Sequence, residues 1–169
     1  MKRETRGREF ESPRGYMNKI ILVILANLLP VSEQLGGIPL GLSLGLDPLT
    51  TFFVSLSVNV LLFFPVYFAL KTFYMVFLSR IKIFNLYLRR VWKKGKPYVD
   101  KYGIIGITLF ICLPSPLTGT YTGTILAWLL GLDWKKAFLA IFLGSLIGGV
   151  IILFSSLGFL KIVFPAIQK

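Results

Sequence analysis

Glu33 is an acidic side chain inside an otherwise apolar stretch, and its type and position could support chemistry. An isolated carboxylate in an apolar environment is costly, so we expect Glu33 to be protonated, paired or facing water. The sequence therefore predicts a proton-binding or cation-binding role. The alternative is a glutamate that lies at the membrane interface or caps a broken helix. The surrounding segment is Pro30-Val-Ser-Glu33-Gln-Leu-Gly36-Gly37-Ile-Pro39-Leu-Gly41.

A second segment is rich in hydroxyl groups and runs from Leu113 to Thr124. Its threonines could hydrogen-bond a polar headgroup or an ion, or they could bond back to carbonyls one turn earlier. In both segments the glycines could expose backbone groups to a substrate or could simply allow close helix packing. Asn59 is an amide in an uncharged run that could reach either segment or join helices. The candidate substrate-binding or ion-binding residues are Glu33, Gly36, Gly37, Pro39, Asn59, Pro114, Pro116, Thr118, Gly119, Thr120, Thr122 and Gly123.

Several kinds of chemistry are excluded by composition. The chain has no histidine and a single cysteine, Cys112, so it cannot form a Ser-His-Asp or Cys-His arrangement or a typical zinc site. It also has no GxxxxGK[ST] loop for nucleotide phosphates. We therefore expect no enzymatic activity, no metal and no cofactor.

The composition points to a membrane protein. Of the 169 residues, 55% are hydrophobic, and the mean hydropathy is +0.75. Uncharged runs cover 48–70, 102–132 and 137–160, and roughly 20 apolar helical residues are enough to cross a bilayer. The net charge of +12 is typical of basic loops that flank membrane spans. We expect a multi-pass protein of the cell membrane that does not bind nucleic acid.

Two similar halves follow residues 1–16, which we expect to form a mobile tail. In each half a Leu-Pro pair precedes a stretch rich in glycine, then Gly-Leu-Asp and a long apolar run. The separation from Pro to Gly is 15 residues in the first half and 17 in the second. Such internal similarity is typical of repeat-built transporters. The expected membrane domain, 17–169, comprises repeat 1 (17–70), a linker (71–101) and repeat 2 (102–160).

The first part of each repeat is expected to form a re-entrant hairpin. Residues 17–46 and 102–132 are too long for one straight span and are interrupted by proline and glycine. A leading arm of about 12 residues reaches about 18 Å, roughly half-way through the bilayer. Hairpins would make the repeats inverted, with both termini outside and Lys135 and Lys136 beside the linker. A tilted, kinked span in each place is the alternative, and it would put the N-terminus inside.

The linker is expected to be a cytoplasmic amphipathic helix. Residues 71–101 contain nine basic side chains against Asp100 alone, and cytoplasmic loops carry such an excess. Apolar residues from Phe73 to Val91 recur at spacings of three and four. The helix would lie on anionic headgroups and stop before Gly95-Lys96-Pro97. It could serve only as an anchor or could recruit particular headgroups.

The two interrupted segments resemble those of the small multidrug export protein family, which looks related to the wider DedA/VTT group. The resemblance covers about 17–160 and rests on the Glu33 segment and on a Pro-x-Pro-x-Thr-Gly-x-x-Thr-Gly pattern from Pro114 to Gly123. It implies inverted repeats whose re-entrant loops meet at mid-membrane, and transport of lipids or small solutes. DedA proteins pair their acidic residues with arginines near the second loop, whereas 102–134 has no Arg or Lys.

The sequence therefore predicts an all-α, polytopic membrane protein with two inverted repeats, each a re-entrant helical hairpin plus a transmembrane helix, joined by the amphipathic linker. The predicted function is transport of an unknown small solute or lipid, coupled to a proton or cation through Glu33. The alternative is a scaffold or accessory subunit without transport. The expected partners are the bilayer, through anionic headgroups at 71–101, and a second copy of the chain, because two small halves enclose little volume.

Overall fold

A computed structural model describes residues 13–74, 82–115 and 118–163, and these residues are helical apart from short connections. The predicted all-α class is confirmed for this part of the chain. Its seven helices are α1 (Pro13–Leu28), α2 (Glu33–Ser43), α3 (Pro48–Phe73), α4 (Lys82–Tyr102), α5 (Ile104–Cys112), α6 (Thr120–Leu129) and α7 (Trp134–Val163). The first turn of α1 thus includes the last four residues of the predicted tail.

Two of these helices are long and apolar enough to cross a bilayer. They are α3, over Pro48–Thr72 with a mean hydropathy of 2.1, and α7, over Trp134–Phe159 with a mean hydropathy of 2.6. Helices of 25 and 26 residues extend about 38 Å, which exceeds the hydrocarbon thickness of about 30 Å. Large apolar side chains such as Leu61 and Phe154 are exposed on them, as a lipid-facing surface requires.

Both predicted helix interruptions are present. The first separates α1 from α2 at residues 29–32, and the second separates α5 from α6. Helix α2 then runs back along α1, because Gly41 faces Val23 and Gly37 faces Asn27. Helices α1 and α2 are therefore an antiparallel pair and not one continuous helix over 17–46.

Gly36, Gly37 and Pro39 were expected to unwind the first segment, but all three lie inside α2. The reason is packing: a Cβ at Gly37 would overlap the Asn27 amide, so glycine allows α1 and α2 to approach closely. The chain reverses earlier, where the backbone N–H groups of Ser32 and Glu33 both donate to the carbonyl of Leu29 at 3.0 Å.

The same local turn ends α2 and α6. Gly45 and Gly131 adopt positive φ angles of 79° and 67°. The next residues, Leu46 and Leu132, donate at 3.0 Å to carbonyls five residues earlier, which is the Schellman pattern for a helix end. An aspartate then caps the following long helix through its side chain: Asp47 for α3 and Asp133 for α7.

Helices α3 and α7 pack antiparallel in the core. The rings of Phe63 and Phe138 lie 5.6 Å apart, while Phe52, nearer the start of α3, contacts Gly149, farther along α7. Tyr67, near the end of α3, donates to the carbonyl of Leu132 at 2.7 Å. The turn before α7 therefore lies beside the end of α3, and the turn before α3 lies at the opposite end of the bundle.

Helix α4 is amphipathic, as the linker was predicted to be, but its bounds differ from the prediction. Phe73 belongs to α3, and residues 75–81 lie outside the described part. The helix also does not stop before Gly95: it continues through Pro97 to Tyr102. Gly95 packs directly on Leu126 of α6 and the rings of Tyr98 and Phe110 lie 6.0 Å apart, so tertiary contacts hold this stretch helical.

Candidate functional site

Glu33 is the first residue of α2 and has a strained backbone. Its φ of 39° makes it a non-glycine residue in the left-handed region, and among the described residues no other non-glycine residue has a positive φ. Such strain persists only where the surrounding structure enforces it, and it is concentrated at functional sites. The strain and the burial of its side chain, which is only 7% exposed, together mark Glu33 as the centre of the candidate site.

The Glu33 carboxylate binds the start of a helix from the other half of the chain. Its Oε2 accepts a hydrogen bond from the backbone N–H of Thr120 at 2.5 Å, and its Oε1 accepts one from the N–H of Tyr121 at 3.3 Å. These N–H groups belong to the first turn of α6, where they have no partner within the helix. The carboxylate also interacts favourably with the positive end of the α6 dipole. The Glu33 side chain, from the first half of the chain, thus caps the start of α6 in the second half.

Gly119 makes this approach possible. It precedes α6, and a Cβ at this position would overlap the carboxyl group of Glu33. A second contact ties the halves together at the same level: the Tyr121 hydroxyl donates to the carbonyl of Leu28 at 2.8 Å. The end of α1, the start of α2 and the start of α6 are therefore held at one point.

A small cavity of about 40 Å³ lies beside the carboxylate. A single water needs about 10–15 Å³ by this kind of measure, so the space is enough for two to four waters or one small ion. The side chains of Glu33, Gln34, Asn59 and Ser145 contribute polar groups to its wall. Exposed residues at the two helix interruptions, among them Val31 and Leu113, also line it.

Two amide side chains in this wall each have one polar atom without a hydrogen-bond partner among the described residues. Asn59 is 1% exposed and Gln34 is 5% exposed. These atoms are the Oδ1 atom of Asn59 and the Nε2 atom of Gln34. Buried polar atoms are nearly always paired, so these two atoms mark an incompletely satisfied polar region in the wall of the cavity.

A further polar cluster lies on the adjoining face of α3. The Asn27 amide donates to the Ser55 hydroxyl at 3.0 Å and to the carbonyl of Val23 at 2.7 Å. Thr51, Ser55 and Asn59 follow one another at intervals of four along α3 and are all buried, so they form one stripe. This stripe extends from the Asn59 amide beside Glu33 toward the turn at Asp47.

The structure brings together some of the predicted site residues and separates others. Glu33, Asn59, Pro114, Thr118, Gly119 and Thr120 line the cavity. Gly36, Gly37, Pro39, Thr122 and Gly123 do not, and Pro116 lies outside the described residues. Gly123 instead packs on Ile111 and Ile141, the helix-packing alternative stated for it.

Three of the four threonine hydroxyls in the segment from Leu113 to Thr124 bond to nearby carbonyls. Thr118 donates to the carbonyls of Leu113 and Ser115 at 2.6 and 2.8 Å. Thr122 donates to the carbonyl of Gly119 at 3.1 Å, and Thr124 to that of Thr120 at 2.6 Å. The Thr120 hydroxyl differs, because it lies 3.3 Å from the Ser145 hydroxyl of α7. Thr120 is therefore the threonine whose side chain joins the buried polar site.

Gln34, Asn27 and Ser145 belong to the site region but were not predicted. Each is a polar residue within a mostly apolar helix, and that signal was available in the sequence. Within the described residues, no group of three His, Cys, Asp or Glu side chains could hold a metal ion.

Two long apolar helices and a buried carboxylate joining two broken segments are features of a helical membrane protein. The family follows from the sequence: residues 33–151 match the family described as "Putative small multi-drug export protein", and the chain belongs to it. No curated protein and no solved structure matches the chain.

Proposed function

We propose that the chain is a multi-pass transporter of the cell membrane that moves a small solute or a lipid, with Glu33 as its ion-coupling group. The observation that carries this proposal is the buried Glu33 carboxylate, held by the first turn of α6 beside a small cavity. Gln34 and Asn59 line this cavity, and each has one buried polar atom without a partner among the described residues. In many transporters, broken helices place their positive ends around ligand and ion sites near the middle of the membrane. The family description, which names export, agrees with this function.

The proposed architecture consists of two inverted repeats with re-entrant hairpins. Helices α2, α5 and α6 contain 11, 9 and 10 residues, so each extends only about 14–16 Å and is too short to cross a bilayer core of about 30 Å. The matching turns at Gly45 and Gly131 lie at opposite ends of the antiparallel pair α3 and α7. Both facts support repeats inserted in opposite directions.

Coupling requires Glu33 to exchange a proton or a cation during transport. Protonation would weaken its charge-assisted hydrogen bonds to Thr120 and Tyr121, and a cation could bind its remaining lone pairs together with the Asn59 carbonyl. Either event would loosen the link between α2 and α6. Among the described residues, the phenols of Tyr87 and Tyr121 interact electrostatically with Glu33.

Reconstitution into liposomes tests this role. The probes are ethidium as a solute and a fluorescently labelled phosphatidylglycerol as a lipid, each followed with and without an imposed pH gradient. The Glu33→Gln variant is compared with Asp47→Asn, which also removes a carboxylate charge but at an exposed cap. We expect the wild type and Asp47→Asn to move at least one probe and Glu33→Gln to lose the pH response. An unchanged flux and pH response in Glu33→Gln would remove the coupling role.

A non-transporting scaffold is the second candidate, and the protein contacts of Glu33 favour it. Its two described hydrogen bonds are made to the backbone of α6, so the carboxylate could serve only to hold the halves together. In that case neither probe crosses the liposome membrane above the protein-free level. Glu33→Gln would then change only the thermal stability in detergent.

A further inference from the structure

A second recess lies where α4 crosses the ends of α3 and α6. It is a groove of about 520 Å³ lined by Tyr74, Asn85, Leu88, Arg89, Trp92 and Leu129. None of these residues lines the Glu33 cavity. The groove therefore needs its own explanation, independent of the proposed transport site.

The groove combines one cationic side chain with apolar side chains. Arg89 presents a guanidinium group that can donate two parallel hydrogen bonds to a phosphate. The Trp92 indole N–H and the Tyr74 hydroxyl are further donors of the kind that bind phosphate oxygens, while Leu88 and Leu129 supply apolar surface. This set of groups suits a phosphate ester that carries a hydrocarbon portion.

The groove also lies at the level expected for lipid headgroups. Tyr74 directly follows α3, whose apolar span ends at Thr72. All three tryptophans of the chain, Trp92, Trp128 and Trp134, occur at this end of the bundle, and the rings of Tyr74 and Trp128 lie 4.6 Å apart. Tryptophan and tyrosine concentrate at the boundary between hydrocarbon and water.

Helix α4 has an excess of positive charge that attracts anions. The helix carries seven basic side chains and a single acidic one, Asp100. The carboxylate of Asp100 lies 3.6 Å from the ammonium group of Lys96, and Asp100 does not line the groove. Anionic lipids of the cytoplasmic leaflet supply the complementary charge for such a surface.

We propose that this groove is a binding site for the headgroup of an anionic phospholipid, with Arg89 holding the phosphate and Trp92 and Tyr74 flanking it. The site goes beyond the proposed transport function, because it is separate from Glu33 and would fix the position of α4 on the membrane. It also differs from a diffuse attraction between α4 and lipid, since it depends on one particular arginine.

Arg90 provides a matched control for Arg89. The two residues are neighbours, both are exposed and both carry one charge, but only Arg89 lines the groove. Purified wild type, Arg89→Gln and Arg90→Gln in neutral detergent are titrated with phosphatidylglycerol or with phosphatidylcholine of the same chains. Bound lipid is counted by native mass spectrometry, and the melting temperature is followed in parallel.

We expect phosphatidylglycerol to bind and raise the melting temperature, and phosphatidylcholine to do so much less. Arg89→Gln should weaken the apparent affinity about tenfold, and Arg90→Gln should change it less than about twofold. Equal losses in the two variants would mean that only net charge matters, and the site would be rejected. If Arg89→Gln lowers the melting temperature without lipid, Trp92→Phe replaces it, and a loss of affinity is again expected.

Inorganic phosphate and glycerol 3-phosphate separate a lipid site from a site for soluble phosphate esters. Neither should raise the melting temperature at concentrations where phosphatidylglycerol does. If either stabilises the wild type and loses this effect in Arg89→Gln, the occupant is a soluble anion, and the lipid assignment is overturned. The result is independent of liposome flux, so this proposal and the transport proposal can fail separately.

Discussion

Gly119 offers the sharpest perturbation of the Glu33 site. It precedes α6 with a φ of −87°, so Gly119→Ala does not force an L-residue into the left-handed region. The new Cβ would overlap the Glu33 carboxyl group. The carboxyl group must then move away, and the backbone N–H groups of Thr120 and Tyr121 lose their acceptor.

The expected cost follows from these two N–H groups. A buried donor left without a partner costs about 1–3 kcal/mol, so two would cost about 2–6 kcal/mol. Water in the adjacent 40 Å³ cavity can reach part of this site and reduces the cost. We therefore expect Gly119→Ala to lower the free energy of unfolding by about 2–4 kcal/mol.

The assay is unfolding in mixed micelles by titration with dodecyl sulfate, and Gly158→Ala is the control. Gly158 lies in α7, and no heavy atom lies within 4 Å of a Cβ placed there. This substitution should leave the stability unchanged or raise it by up to about 1 kcal/mol. A loss in Gly158→Ala as large as that in Gly119→Ala would show that the assay does not report the Glu33 contact.

A double-mutant cycle with Glu33→Ala tests the cause. Both single changes remove the same carboxylate from the same two N–H groups, so the double variant should be about as stable as Glu33→Ala alone. The coupling energy should therefore be about 2 kcal/mol or more. Additive effects, within about 0.5 kcal/mol, would refute the claim that Gly119 acts through Glu33.

The other predictions concern residues other than Glu33 and Gly119. Gly45→Ala and Gly131→Ala, measured in the same unfolding assay, should each cost about 1–2 kcal/mol, because both positions have positive φ and space for a Cβ; a cost at only one would contradict the repeated turn. Gly95→Ala should separate α4 from Leu126 and speed tryptic cleavage of α4 in micelles, while Gly158→Ala should not. Tyr121→Phe should cost about 0.5–1.5 kcal/mol through its lost bond to the Leu28 carbonyl, and no loss would place that bond outside the folded core.

The long helices and the two interruptions were predictable because strong local signals specify them. Apolar runs long enough to cross a bilayer became α3 and α7, and Pro30 and Pro114 lie at the two breaks. Asp47 and Asp133 each begin a long helix, as aspartate after a glycine turn favours. These features depend on residues close together in the chain.

The remaining features depend on contacts between distant residues. Pro97 was expected to end α4, but Gly95 packs on α6 and the helix continues. Gly37 could have exposed backbone or allowed close packing, and its contact with Asn27 shows the packing role. The pairing of Glu33 with the start of α6 joins residues 87 positions apart, and no local pattern could identify that partner.

Cysteine labelling in a Cys112→Ser background tests the central claim that the two halves enter the membrane from opposite sides and meet at Glu33. Ser43→Cys and Lys135→Cys place thiols beside the two matching turns at exposed positions and leave the capping aspartates intact. A membrane-impermeant maleimide, applied to intact cells and to inverted vesicles, reports the side of each thiol. The account predicts that the two positions label from opposite sides of the membrane. Labelling of both from one side would contradict the inverted arrangement and, with it, a site for Glu33 at mid-membrane.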